Sequence, residues 1–158
     1  MHSADCLLRS VDFAAIEVLQ RTGRWNEAGK LLAAEAQALA AGGAGHCGSA
    51  GHGLSMEQDF YVGRLERTHG LAVVVPDAED RRLVHDVIYQ ELCLGIVKED
   101  SRQAYRRVIG DLVGRGAEGI LLGCTEIDLL IGPDDAPVPV FDTTRLHAER
   151  AVDLALAT

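Results

Sequence analysis

From Gly119 to Cys124 the chain reads GILLGC, an apolar run with no polar residue interleaved. A strand with one face in water alternates apolar and polar side chains, so an unbroken run fits a strand covered on both faces, the situation of a central strand in a parallel sheet. Parallel neighbours must be joined by crossovers, and the flanking sequence supplies them. LAVVVP at 71–76 is β-branched and closed by proline, which predicts a strand; Asp77 then opens a helix with Leu83, Val84, Val87, Ile88 and Leu92 on one face. Ser101 begins another helix, to about Gly114; PVPVF at 137–141 is a shorter strand, and Thr143 or Thr144 opens a last helix through Leu156. Upstream, CLLRSV at 6–11 reads as a strand, with Asp12 and Asn26 capping helices to Gln20 and over 27–40. Ser55-Met-Glu-Gln58 has the form of a capping box for a helix to about Thr68. The expected fold class is α/β, an open and mainly parallel sheet with flanking helices.

One stretch breaks the pattern. AGGAGHCGSAGHG at 41–53 is dense in glycine and lacks apolar periodicity, which predicts a loop or a break. It divides the chain into a partial amino-terminal α/β half over 1–45, a glycine-rich junction at 46–54 and a carboxyl-terminal α/β half over 55–158. A net charge of -9 and the absence of a basic stripe exclude a phosphate-backbone partner, so no nucleic acid is expected. No apolar window approaches a membrane span and no basic, then apolar, leader opens the chain, so the expectation is a cytoplasmic protein with no membrane partner. Cys6, Cys47, Cys93 and Cys124 stand at wide spacings without a C-x-x-C, which supports neither a disulfide framework nor a zinc ribbon. His46, Cys47 and His52 match no standard metal spacing, and no metal is expected.

In parallel α/β sheets ligands collect beyond the carboxyl ends of the strands, which selects Asp12, Asp77, Cys124 to Glu126 and Asp142 to Thr144. GCTEIDLL at 123–130 is the most specific of these. A cysteine at a strand end, with Thr125 and Glu126 opening a helical turn, sits where free N–H groups favour an anion, so Cys124 is expected to ionise or to lie beside a bound carboxylate. That chemistry suits removal of the α-proton of an amino acid. The competing reading is a packed strand-end cysteine.

The phrases HSADCLLRSVDFAAIE at 2–17, MEQDFYVGRL at 56–65, IYQELCLG at 88–95, GCTEIDLL at 123–130 and PVFDTTRLHAERAV at 139–152 resemble, in that order, the aspartate/glutamate racemase family, above all its broad-specificity amino-acid racemase branch. The resemblance implies two similar α/β halves facing each other across a cleft, no pyridoxal phosphate or other cofactor, no metal, a small amino-acid substrate and a homodimer. It implies a mechanism with two cysteines on opposite faces of the substrate, of which Cys124 matches the second. The first belongs to a C-T-N-T motif that this chain lacks, and the family's opening glycine-rich turn is also missing, so the resemblance implies a form truncated at the amino terminus and internally deleted.

On the same footing Thr125 is the candidate contact for the substrate carboxylate, and Ser55 stands where the family has a binding-loop threonine, although as an N-cap it needs no ligand. Glu126 and His147 are candidates to tune or relay protons, or else helix-end residues satisfying local charge. Cys47 is the substitute for the missing cysteine, although a glycine-rich loop would hold a thiol poorly. Cys93 stands where aspartate-specific relatives carry a lysine. Three functions are therefore in play: a racemase or epimerase impaired by the loss of one base, a single-cysteine decarboxylase of the arylmalonate type, and a non-catalytic remnant that serves as a dimerisation module.

Overall fold

The computed structural model describes residues 36–51, 56 and 61–156, with the side chains of 150–155 left aside. Four strands, β1 (His46–Gly51), β2 (Ala72–Val74), β3 (Gly119–Gly123) and β4 (Val140–Asp142), form one sheet in the order β2-β1-β3-β4. All three pairings are parallel, with Cys47 opposite both Val73 and Gly119, and Leu122 opposite Asp142. Helices α1 (Val62–His69), α2 (Ala78–Gln90), α3 (Glu99–Gly114) and α4 (Thr143–Leu156) alternate with the strands, and 36–41 is helical ahead of β1. The α/β class and the parallel sheet are as the apolar run at 119–124 required. The strand expected at 6–11, the helix expected to Gln20 and Ser55 lie outside the described residues.

The glycine-rich stretch is where the expectation fails. Residues 46–51, read as part of a loop and junction, are strand β1, paired on both sides and buried from Cys47 to Gly51. A strand built from HCGSAG thus precedes Met56. Packing explains its composition. A Cβ on Gly48 would stand 2.8 Å from Ile120 Cδ1 and 3.1 Å from Leu112 Cδ1, and one on Gly119 would stand 2.8 Å from Phe141 Cε2. Large side chains on the neighbouring strands, Ile120 and Phe141, together with Leu112 of α3, fill the space over these two positions, so only glycine fits there. Apolar periodicity cannot signal a strand whose burial is achieved by having almost no side chains.

β3 divides the core as an alternating strand must. Ile120 and Leu122 point to one face, where Val84, Val87 and Ile88 of α2 and Tyr105, Val108, Ile109 and Leu112 of α3 cover them. Leu121 points to the other, against Leu39, Cys47, Tyr61 and Leu65. The helix starts follow side-chain chemistry. Asp77 caps α2 as expected, its Oδ1 accepting from the N–H groups of Glu79 at 3.0 Å and Asp80 at 2.9 Å. α3 begins at Glu99, two residues before Ser101, whose hydroxyl instead donates to Glu91 Oε2 at 2.5 Å. At α4 the cap is Asp142 rather than a threonine: its Oδ1 accepts from Thr144 N at 2.9 Å and Arg145 N at 3.2 Å. Thr143 is left to donate to the Leu122 carbonyl at 2.8 Å, tying the α4 start to the end of β3.

Candidate active site

Cys124 follows the last residue of β3, at the carboxyl edge of the sheet. Its surroundings hold the proton on the sulfur. Cys124 Sγ donates to Glu126 Oε2 at 2.8 Å, and the Thr125 hydroxyl donates to the same oxygen at 2.7 Å. Glu126 is only 3% exposed, and its other oxygen, Oε1, is buried without a hydrogen-bond partner. Burial, and then the Glu126 carboxylate, push the Cys124 thiol well above the ordinary cysteine value. The turn that follows is a three-residue 3-10 helix, Ile127–Leu129, too short to build an appreciable dipole. The short turn gives no helix start to ionise the thiol, and burial and the neighbouring carboxylate both act against the thiolate.

Cys124 packs at the margin of the core beneath α2 and α3, partly open to solvent, with Cys93 against the same cluster. Tyr105 lies close enough that, after burial, the Cys124 charge is the next cause raising its phenol; its hydroxyl donates to the Val84 carbonyl at 3.1 Å. Asp128, two residues past Glu126, has its carboxyl raised by burial and then by Asp142 and Glu126. Sequence reading missed Asp128, although its spacing of two from Glu126 at a strand end was a usable signal. Three carboxylates therefore gather around the ends of β3 and β4.

The turn is braced from behind. Asp135 accepts from Gly132 N at 2.7 Å and pairs with Arg102 at 3.1 Å and Arg106 at 2.6 Å, while Arg102 also donates to the Leu130 carbonyl. These contacts tie 130–135 to α3 and fix the direction in which the chain leaves Cys124.

The other candidates fall in different places. His147 is buried one turn into α4, which packs on β3 and β4. Cys47 is far from Cys124. It is 0% exposed near the amino end of β1, in register with Gly119 at the start of β3, and belongs to the cluster on the opposite face of the sheet. Four residues of strand, roughly 13 Å, separate the level of Gly119 from that of Gly123. A thiol so placed is a core residue, and the idea of Cys47 as the missing base is set aside. His46 turns toward Glu118, with its Nδ1 3.7 Å from Oε2. Among the described residues no three His, Cys, Asp or Glu side chains are grouped to hold a metal ion. No described helix is long and apolar enough to cross a membrane. A cavity of about 380 Å³ opens between the start of α2 and the far end of α3, lined by Pro76, Asp77, Asp80, Asp111 and Arg115 among others, but no residue of the Cys124 turn lines it.

The sequence profile of the Asp/Glu/hydantoin racemase family matches residues 33–151. Among solved structures, a candidate Asp/Glu racemase from Yersinia pestis is similar at 40% identity over 92% of this chain and 81% of its own, with a TM-score of 0.75. An aspartate racemase homologue from Pyrococcus horikoshii OT3 is similar at 32% identity over 79% of this chain, with a TM-score of 0.73. An aspartate racemase from Picrophilus torridus, 20% identical over 79% of this chain with a TM-score of 0.58, shares the fold. The chain spans 54% and 52% of the length of the last two.

Proposed function

The chain belongs to the Asp/Glu/hydantoin racemase family, and on that premise we propose that it is an amino-acid racemase or epimerase that moves the Cα proton by thiol chemistry, without pyridoxal phosphate, and with Cys124 serving one face of the substrate. The observation that carries this reading is the Cys124–Glu126 pair, a thiol at the open edge of a central strand with its proton directed at a buried carboxylate 2.8 Å away. In one direction a base on the far face removes the α-proton, the electron pair enters the substrate carboxylate as an enediolate, and the Cys124 S–H bond breaks as its proton joins Cα. In the other direction Cys124 first releases its proton to solvent, and the thiolate so formed takes the α-proton. A raised thiol suits the protonating step, in which it keeps its proton until the enediolate takes it, and its thiolate, once formed, is strongly basic toward the weakly acidic α-proton.

Thr125 orients Glu126 through its hydroxyl, and we assign its backbone N–H to the substrate carboxylate. Ser55 is retained as a binding-loop candidate and His147 as a relay at the α4 start. A free catalytic thiol is kept reduced in the cytoplasm, and that is the compartment we assign to the reaction. The reading is tested by following loss of the Cα proton in deuterated water by NMR, over a panel of L and D amino acids. Exchange is expected for at least one of them and is expected to vanish in Cys124→Ala. If no amino acid exchanges above the buffer background, or if Cys124→Ala exchanges as fast as the parent, the proposal fails. The burial and the carboxylate that raise the Cys124 thiol also suit a second reading, a single-thiol decarboxylase of the arylmalonate type, in which the thiol protonates an enediolate left by loss of carbon dioxide. Release of carbon dioxide from a disubstituted malonate, with no racemisation of amino acids, would select it.

A further inference from the structure

The cavity of about 380 Å³ between the start of α2 and the far end of α3 takes no part in the chemistry above, and its walls are chemically specific. Its floor is bare helix. Gly110, inside α3, and Gly114, its last residue, stand about one turn apart and both line the cavity. Neither has a positive φ, and a Cβ added to either would meet nothing within 4 Å, so alanine would fit at both places. Glycine within a helix is destabilising relative to alanine, and no packing contact requires it here. What the two glycines preserve is the open floor. The rim carries charges of both signs. Asp80 and Asp111 are satisfied by Arg107, at 3.0 and 3.2 Å. Asp77 commits Oδ1 to the N–H groups of Glu79 and Asp80, and Arg115 donates through Nη1 to the Val75 carbonyl at 2.9 Å, but among the described residues neither of the two forms an ion pair. The Asp80 N–H above all, and further the Glu79 N–H and the Arg107 and Arg115 charges, outweigh burial and hold the Asp77 carboxyl below its ordinary value, so it is negative at neutral pH.

We propose that this cavity binds an amino-acid zwitterion, with its ammonium at Asp77, its carboxylate at Arg115 and its side chain laid over Gly110 and Gly114. A carboxylate and a guanidinium, each held by backbone groups, line one cavity without closing on each other. The complement of that pair is a molecule carrying the opposite pair. A simple anion would meet Asp77, Asp80 and Asp111, and a simple cation would meet Arg115; the zwitterion satisfies both ends. The volume is that of a small-ligand site, and Pro76 and Val108 supply an apolar wall for an aliphatic side chain. No residue of the Cys124 turn lines the cavity, so an amino acid held here is bound and not turned over. The inference therefore stands apart from the thiol-based reading and does not need it.

The test titrates the isotope-labelled 158-residue chain with L-leucine and follows its backbone amide signals by two-dimensional NMR. The Gly110 and Gly114 signals are expected to shift and to saturate. Isocaproate, which lacks the ammonium, and isoamylamine, which lacks the carboxylate, should each bind about 10- to 100-fold more weakly, the value of one charged hydrogen bond. Asp77→Asn keeps the helix cap while removing the charge, and Arg115→Gln removes the guanidinium; each should weaken leucine binding by about the same factor. Gly110→Leu separates binding from folding. It should raise the urea midpoint of unfolding, because leucine is the better helix former and its Cβ meets no neighbour, and it should remove the leucine-induced shift at Gly114. Cys124→Ala should bind leucine here as the parent does, so the outcome is read independently of racemisation. Shifts confined to the Cys124 turn, no shift at Gly110 and Gly114 at tens of millimolar leucine, isocaproate or isoamylamine binding as tightly as leucine, or an affinity unchanged in Asp77→Asn would each overturn the inference.

Discussion

Replacing Glu126 by glutamine should make Cys124 more reactive, and the size of the gain follows from the contacts. The carboxylate accepts the thiol proton at 2.8 Å and places a negative charge beside the sulfur; both effects disfavour the thiolate. Glutamine is of similar shape and can still accept the hydrogen bond, but it removes the charge. A hydrogen bond to a charged group contributes about 1.5–3 kcal/mol, so losing its charged character should raise the thiolate fraction at a given pH by about 10- to 100-fold. A thiolate of lower basicity is a weaker nucleophile, with sensitivity of about 0.4–0.5, which reduces the gain in alkylation rate to roughly 3- to 10-fold. The assay is iodoacetamide labelling of Cys124 followed by mass spectrometry at pH 8 in the Cys6→Ser/Cys93→Ser chain. Because burial persists in the variant, Cys124 should still react more slowly than a free cysteine. Labelling of Glu126→Gln at the parent's rate, or more slowly, would mean that the carboxylate does not hold the thiol proton, and its suppression of the thiolate would have to be abandoned.

Three further outcomes follow from the packing and the charges. Gly48→Ala should cost about 1–3 kcal/mol in urea denaturation, and because the contact it creates is with Ile120 Cδ1, adding Ile120→Val should cost less than the sum of the two single changes; strict additivity would contradict the close approach. At Asp135, burial pushes the carboxyl up, but the Gly132 N–H and the Arg106 and Arg102 guanidinia outweigh it and hold the group below its ordinary value of 3.8, so its contribution is present above that pH and is lost as pH falls. Asp135→Asn should therefore lower stability near neutrality by about 1–2 kcal/mol, the low figure because the arginines are partly in water, with the difference from the parent closing in acid. Cys124 and Tyr105 are both raised by burial, so the folded state retains protons that the unfolded chain releases above their ordinary values of 9.0 and 10.0, and the unfolding free energy should decline from about pH 9 upward. Tyr105→Phe should make that decline shallower, a comparison readable by denaturant titration at several alkaline pH values.

The local chemistry of the chain was enough to specify several elements without any knowledge of the fold. GILLGC demanded burial on both faces, and β3 is central; Asp77 could accept two backbone N–H groups wherever α2 lay, and it caps that helix. The position of Cys124 at a strand end followed from the same run of residues. What depended on parts of the chain far apart in sequence was decided only by packing. β1 is a strand because β2 and β3 pair with it on either side and Ile120 and Leu112 pack over Gly48, a fact no window around 46–51 contains, and the same packing buries Cys47 in the core. The protonation of Cys124 was likewise beyond the sequence, because a thiol's acidity depends on desolvation and on where nearby charges lie. Backbone patterns and caps are short-range and leave their trace in neighbouring residues, whereas close packing and electrostatics depend on distances that exist only once the chain has folded.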